Sequence, residues 1–180
     1  MKELEQIIIG SCFGEDQYKK VSFLEPEDFT NYPNKPFREY FKLLKKTKAE
    51  SNYLVECLSV CNDKNVYLLL CQQNNLLGAN NIDRFAIKLL EVRFKTLLID
   101  LLTKLSYNSK NALEVELLNA SLMSIPRVDI FDLSDNIIEY LGVHIAANTR
   151  NRIESFIKYR NDRVQKAKEV INESWTILKR

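Results

Sequence analysis

Leu4, Ile7, Ile8 and Cys12 recur at three- and four-residue steps, the spacing that gathers side chains on one face of a helix, and they predict a short first helix. Gly14 interrupts it. Tyr18, Val21, Phe23 and Leu24 then supply a second short apolar face. Pro26 stops that face, because proline disfavours helical geometry in the residue before it. Glu27, Asp28 and Phe29 follow as an acidic turn with one aromatic to bury. Pro33 and Pro36 bracket another turn, and Phe37, Tyr40, Phe41 and Leu44 read as a third helix with Pro36 near its first turn. The pattern predicts small helices that bury Ile8, Phe29, Phe37 and Phe41 together.

Lys45, Lys46 and Lys48 suit the end of that third helix, where the helix dipole favours cations. Ser51 is placed to cap a helix containing Tyr53, Leu54, Cys57, Leu58 and Cys61. The apolar run 66–71 has no assignable period, but Gln72 and Gln73 extend it as a helix. After an asparagine-rich loop over 74–81 comes the longest helix of the first half, 82–105. Its apolar stripe, widened by Phe94 and Ile99, exceeds what one contact needs, so it is enclosed by more than one neighbour or contributes to an interface. A further helical segment, 112–123, carries Leu113, Leu117, Leu118 and Leu122. Pro126 breaks the chain again, and Ser134 opens a helix with Ile137, Ile138, Leu141 and Ile145 on its face. In the last third, Ile153, Phe156, Ile157, Val164, Ala167, Ile171, Trp175 and Leu178 form an interrupted stripe. Arg160 and Ser174 fall in its seam, which argues against a long self-sufficient coiled coil.

The 180 residues fit one all-α protein, with four glycines and four prolines leaving little room for tight hairpins. The net charge of +2 carries no implication for nucleic acid, but its distribution is uneven. Residues 148–180 hold nine Lys and Arg against four Asp and Glu, a surplus of five that leaves the preceding part about three negative. A basic amphipathic helix of this kind lies against its own domain, binds a partner groove, or sets its cations on phosphates. Candidate phosphate contacts are Arg150, Arg152, Lys158, Arg160, Arg163 and Lys166, with Lys168 beside them. No apolar run approaches the roughly 18 residues needed to span a bilayer, and the charged N-terminus lacks a signal-peptide core, so no membrane contact and a cytoplasmic location are expected.

The chemistry-bearing residues form no recognisable constellation. Cys57 and Cys61 are four apart, Cys71 and Cys12 lie farther off, and His144 is the only histidine, a spacing that suits buried thiols better than a zinc site. His144 has no second ligand or nucleophile in view. Glu27 and Asp28 belong to a turn that reads as structural, and acid–base work needs convergent partners that the sequence does not supply. Neither the phosphate-cradling P-loop pattern nor the dinucleotide glycine fingerprint occurs. A non-catalytic protein without metal or cofactor is expected.

Glu3, Glu5, Gln6, the aliphatic run 7–9 and Gly10, followed by Glu27, Asp28, Phe29 and Pro33, resemble the start of the N-terminal domain of the DnaB-type bacterial replicative DNA helicases. That family usually has an aliphatic–aromatic pair where this chain has Phe37 and Arg38. The resemblance resumes at Asn81, Ile82, Phe85, Ala86, Leu89 and Glu91. It covers residues 3–105, more loosely to 145, and lacks the RecA-like ATPase domain. It implies a helical head with its exit helix over 1–105, a hairpin or return segment over 106–147, and a basic C-terminal helix over 148–180. The implied function is assembly: a homo-oligomer that joins helicase, primase or helicase-loader components in DNA replication. Candidate contact residues are Leu97, Leu101, Leu105, Ile153, Ile157, Val164 and Ile171. Two rivals stand beside it, a nucleic-acid-binding accessory protein using the basic helix and a small-molecule-binding or enzymatic helical domain, which needs a buried pocket with convergent polar groups.

Overall fold

The computed structural model describes residues 2–12, 15–30, 36–47, 81–125 and 145–171. The fold is all-α, and the described residues contain no strand. The helices described are α1 (Lys2–Ser11), α2 (Glu15–Val21), α3 (Pro36–Thr47), α4 (Ile82–Asn108), α5 (Ala112–Ser124) and α6 (Ala147–Val170), with a 3-10 turn at Pro26–Asp28. The helices expected around Cys57, over 66–73 and after Ser134 lie outside the described residues. So do His144, Cys57, Cys61, Cys71 and the segment 172–180. Among the described residues no helix is long and apolar enough to cross a membrane.

The chain divides into two compact units, one made of Met1–Leu90 with Lys166–Arg180 and the other of Glu91–Gln165. In the first, α3 packs on both α1 and the 3-10 turn. Phe37, Tyr40, Phe41 and Leu44 are buried, one continuous face of α3 as the spacing predicts. The Phe41 ring lies 4.7 Å from Phe29 and 6.3 Å from Tyr18, tilted against both, so one aromatic side chain joins α2, the turn and α3.

Two details depart from the hydropathy pattern. On α1 the buried face runs through Glu5, Ile8, Ile9 and Cys12, while Leu4 and Ile7 are half-buried. The face is rotated by one residue because the Glu5 carboxylate is turned inward, where Oε1 accepts the Thr30 backbone N–H at 2.8 Å. The second apolar face is only partly helical: α2 ends at Val21, and Phe23 and Leu24 are buried from the turn that follows. Asp28 closes the acidic turn by accepting the Glu25 backbone N–H at 2.7 Å, and Glu27 is exposed. Lys45 reaches away from its own helix end, to the Glu25 carboxylate and, at 3.4 Å, the Leu24 carbonyl.

The second unit holds the rest of α4, then α5 and most of α6. Asn111 caps α5, its side-chain oxygen accepting the Leu113 and Glu114 backbone N–H groups at 3.1 and 3.4 Å. Ser106 on α4 donates to Asn119 on α5 at 3.1 Å, a side-chain link between the two helices. On α6 and at the residue after it, the buried positions Ile153, Ile157, Arg160, Val164, Ala167 and Ile171 alternate steps of four and three, the seven-residue repeat of a coiled-coil seam with an arginine inside it. On α4 the positions Ile82, Ala86, Leu90, Phe94, Leu98 and Leu102 are fully or almost fully buried and step by four. Each such step advances the stripe by about 40° around the helix, so α4 shows no single apolar side.

Candidate interaction surfaces

Burial along α5 does not follow hydropathy. Its buried positions are Glu114, Leu118 and Ser121, two of them polar. Its outer arc carries Leu113, 48% exposed, and Met123, 83% exposed, with exposed Ala120 and Glu116 between them and Leu117, Asn119 and Ser124 at its edges. Tyr107, 87% exposed, lies just before the turn. A soluble helix ordinarily puts its apolar stripe inward and its polar residues outward. Here a polar inward face is possible because each buried polar group has a partner.

Glu114 is the centre of that inward face. One carboxylate oxygen accepts the Ser109 hydroxyl, and the other accepts the backbone N–H of Ala146 at 3.2 Å. The Ser109 hydrogen bond, with support from Thr149 and the Ala146 amide, holds the carboxyl below the ordinary value of 4.5 against the opposing effect of burial. Ala146 immediately precedes α6. Glu114 therefore stands at the start of two helices, its own and α6, where unpaired N–H groups and the helix dipole both favour a negative charge. Ser121 bonds the Leu117 carbonyl at 2.9 Å.

A second surface lies between α4 and α6. It is an open groove of about 540 Å³ lined by Arg93, Leu97 and Leu101 from α4 and by Arg152, Ser155, Phe156 and Tyr159 from α6. Phe94 fixes the two aromatic walls, meeting Phe156 and Tyr159 edge-on at 6.4 and 6.2 Å. Arg163 lies over the Tyr159 ring at 5.8 Å and donates to its phenolic oxygen at 2.9 Å.

The structure separates the candidate contact residues into two groups. Leu97 and Leu101 are half-buried in the groove, whereas Leu105, Ile153, Ile157, Val164 and Ile171 are buried in the chain's own fold. The basic residues divide in the same way. Arg160 and Arg163 are 2% and 4% exposed, so their guanidinium groups serve the interior. Arg150 is half-buried; Arg152, Lys158, Lys166 and Lys168 are exposed. Glu154, Asp162 and Glu169 are exposed on the same helix, so the outer face of α6 is mixed in sign and the charge surplus counted from sequence is not presented as one patch.

Sequence reasoning did not single out Arg93, Tyr159 or Glu114. A hydropathy stripe has no means of showing which polar residues line a groove or turn inward. Among the described residues no group of three His, Cys, Asp or Glu is arranged to hold a metal ion. No family model, curated protein or solved structure matches the chain.

Proposed function

We propose that this protein is a helical assembly module of the replicative-helicase N-terminal type, which self-associates and binds helicase, primase or loader components in DNA replication. The observation that carries the proposal is the outward apolar arc of α5, with Leu113 and Met123 exposed while Glu114 and Ser121 are turned in. Exposed apolar side chains gathered on one side of a helix are a surface that another protein can cover. The arc holds one charged residue, Glu116, so two copies could bring it together with little like-charge repulsion, as a two-fold contact requires.

The residues behind the family resemblance agree with the proposal in their local roles. Glu5 and the Asp28–Phe29 turn, distant in sequence, are joined by the Glu5–Thr30 hydrogen bond, and Ile8, Ile9 and Phe29 are core residues of the first unit. The nucleic-acid alternative loses two of its six candidate cations, Arg160 and Arg163, to the interior.

Light scattering of the purified protein at low and high salt separates the two. Apolar association gives a mass above the 21.1 kDa of one chain that persists in high salt. A monomer under all conditions, binding an oligonucleotide with an affinity that falls steeply as salt rises, would replace this proposal with the nucleic-acid one.

A further inference from the structure

We infer that the groove between α4 and α6 is a docking site for an acidic amphipathic helix supplied by a partner protein. The inference rests on taking the chain as an assembly module, and it assigns to the groove a role separate from that of α5.

Pairing across the groove sets its polarity. Phe94 meets Phe156 and Tyr159, while Leu105 lines one small cavity with Thr149 and Arg152. The two helices therefore run antiparallel there. Arg93 consequently stands at the Tyr159 end and Arg152 at the Leu101 end, on opposite walls. From Arg93 to Leu101 the helix rises about 12 Å, the length of two turns. Between the two cations the floor is apolar, made by Leu97, Leu101 and Phe156.

The charge of the lining selects the occupant. Two guanidinium groups and no carboxylate line the groove, and among the described residues neither Arg93 nor Arg152 is in an ion pair. Glu114 borders the adjoining cavity, but its oxygens are taken up by Ser109 and Ala146. Tyr159 adds a directed donor. Its oxygen accepts from Arg163 at 2.9 Å, which leaves the phenolic hydrogen to donate, and the residue is 43% exposed. The complementary ligand is a helix with two or three apolar residues on one face and an acidic residue at each end of that face, about seven residues apart. A neutral apolar helix would leave both guanidinium groups without counter-charges, and a basic one would be repelled.

The test uses the full chain and a fluorescein-labelled helical peptide of about four turns, with leucines on one face between two glutamates. Fluorescence polarisation is expected to show saturable binding, about tenfold weaker when the glutamates are replaced by lysines. Leu97→Asp should abolish binding. Arg152→Glu, at an exposed position, should invert the preference so that the lysine peptide binds better, a result that only folded protein can give. Equal binding of the two peptides, or an unchanged preference in Arg152→Glu, overturns the inference. Displacement of the acidic peptide by a short oligothymidylate also overturns it and makes the groove a general polyanion site. Light scattering on the same samples without peptide reports self-association separately. A monomer that discriminates between the peptides refutes the α5 contact alone, and an oligomer indifferent to both refutes the groove alone.

Discussion

Glu5 and Glu114 are buried carboxylates that each accept a backbone N–H from a distant segment, Thr30 in one case and Ala146 in the other. A carboxylate in this position orders two pieces of chain at once through a charge-assisted hydrogen bond. For Glu114 the linkage has a definite sign. Its folded-state value is lowered, so its contribution to stability is complete above the ordinary value of 4.5 and is lost as the pH falls through the lower folded value. Urea unfolding of Glu114→Gln at neutral pH should show a loss of about 1–3 kcal/mol, and the gap between variant and parent should close as the pH is taken below that range. A gap that stays constant in acid would mean that the Glu114 charge has no part in holding the start of α6. Cys12 supplies a second test at this scale. Burial pushes its thiol up to about 12, so iodoacetamide followed by peptide mapping should leave Cys12 unmodified in native protein and label it in urea.

Among the elements, α3 and the far half of α6 were readable in advance, and α1, α4 and α5 only in part. In α3 every apolar residue at helical spacing goes inward, because aromatic side chains have a large area to bury and nothing competes with them. Phe41→Ala should therefore cost about 3–5 kcal/mol in chemical denaturation. On α6 the seam through Arg160 was visible as a repeat interrupted by a charge, but the inward direction of that charge was not. In α1 the inward Glu5 turns the face, since a single hydrogen-bonded carboxylate can outweigh one leucine at a half-buried position. On α4 the stripe moves around the helix, which a single-face template averages away. The small polar inward side of α5 depends on Ser109, in the turn just before the helix, and on Ala146, 32 residues after Glu114, which no local pattern contains. The α5 start was legible only as a position, and its cap makes a quantitative expectation: Asn111→Ala should destabilise by about 1 kcal/mol, read as a lower melting temperature with unchanged helix content in the cold.

For the whole molecule, an all-α class followed directly from helical spacing and a shortage of turn formers, whereas the placement of surfaces did not. The contact residues expected from apolar pattern alone are mostly interior, because that pattern identifies what is buried without saying by what. Among the described residues, two surfaces remain for contact with other proteins in this account: the arc of α5 and the groove beside Leu97 and Leu101. In this account the first joins copies of the chain and the second receives a partner, and the exposed side chains of α5 can be altered without touching the core. The most direct measurement is the light-scattering mass of a Leu113→Glu, Met123→Glu double variant beside the parent at equal concentration in high salt. The parent is expected to be heavier than one chain and the variant folded and monomeric. A parent that is already monomeric, or a variant that keeps the parent's mass, contradicts it.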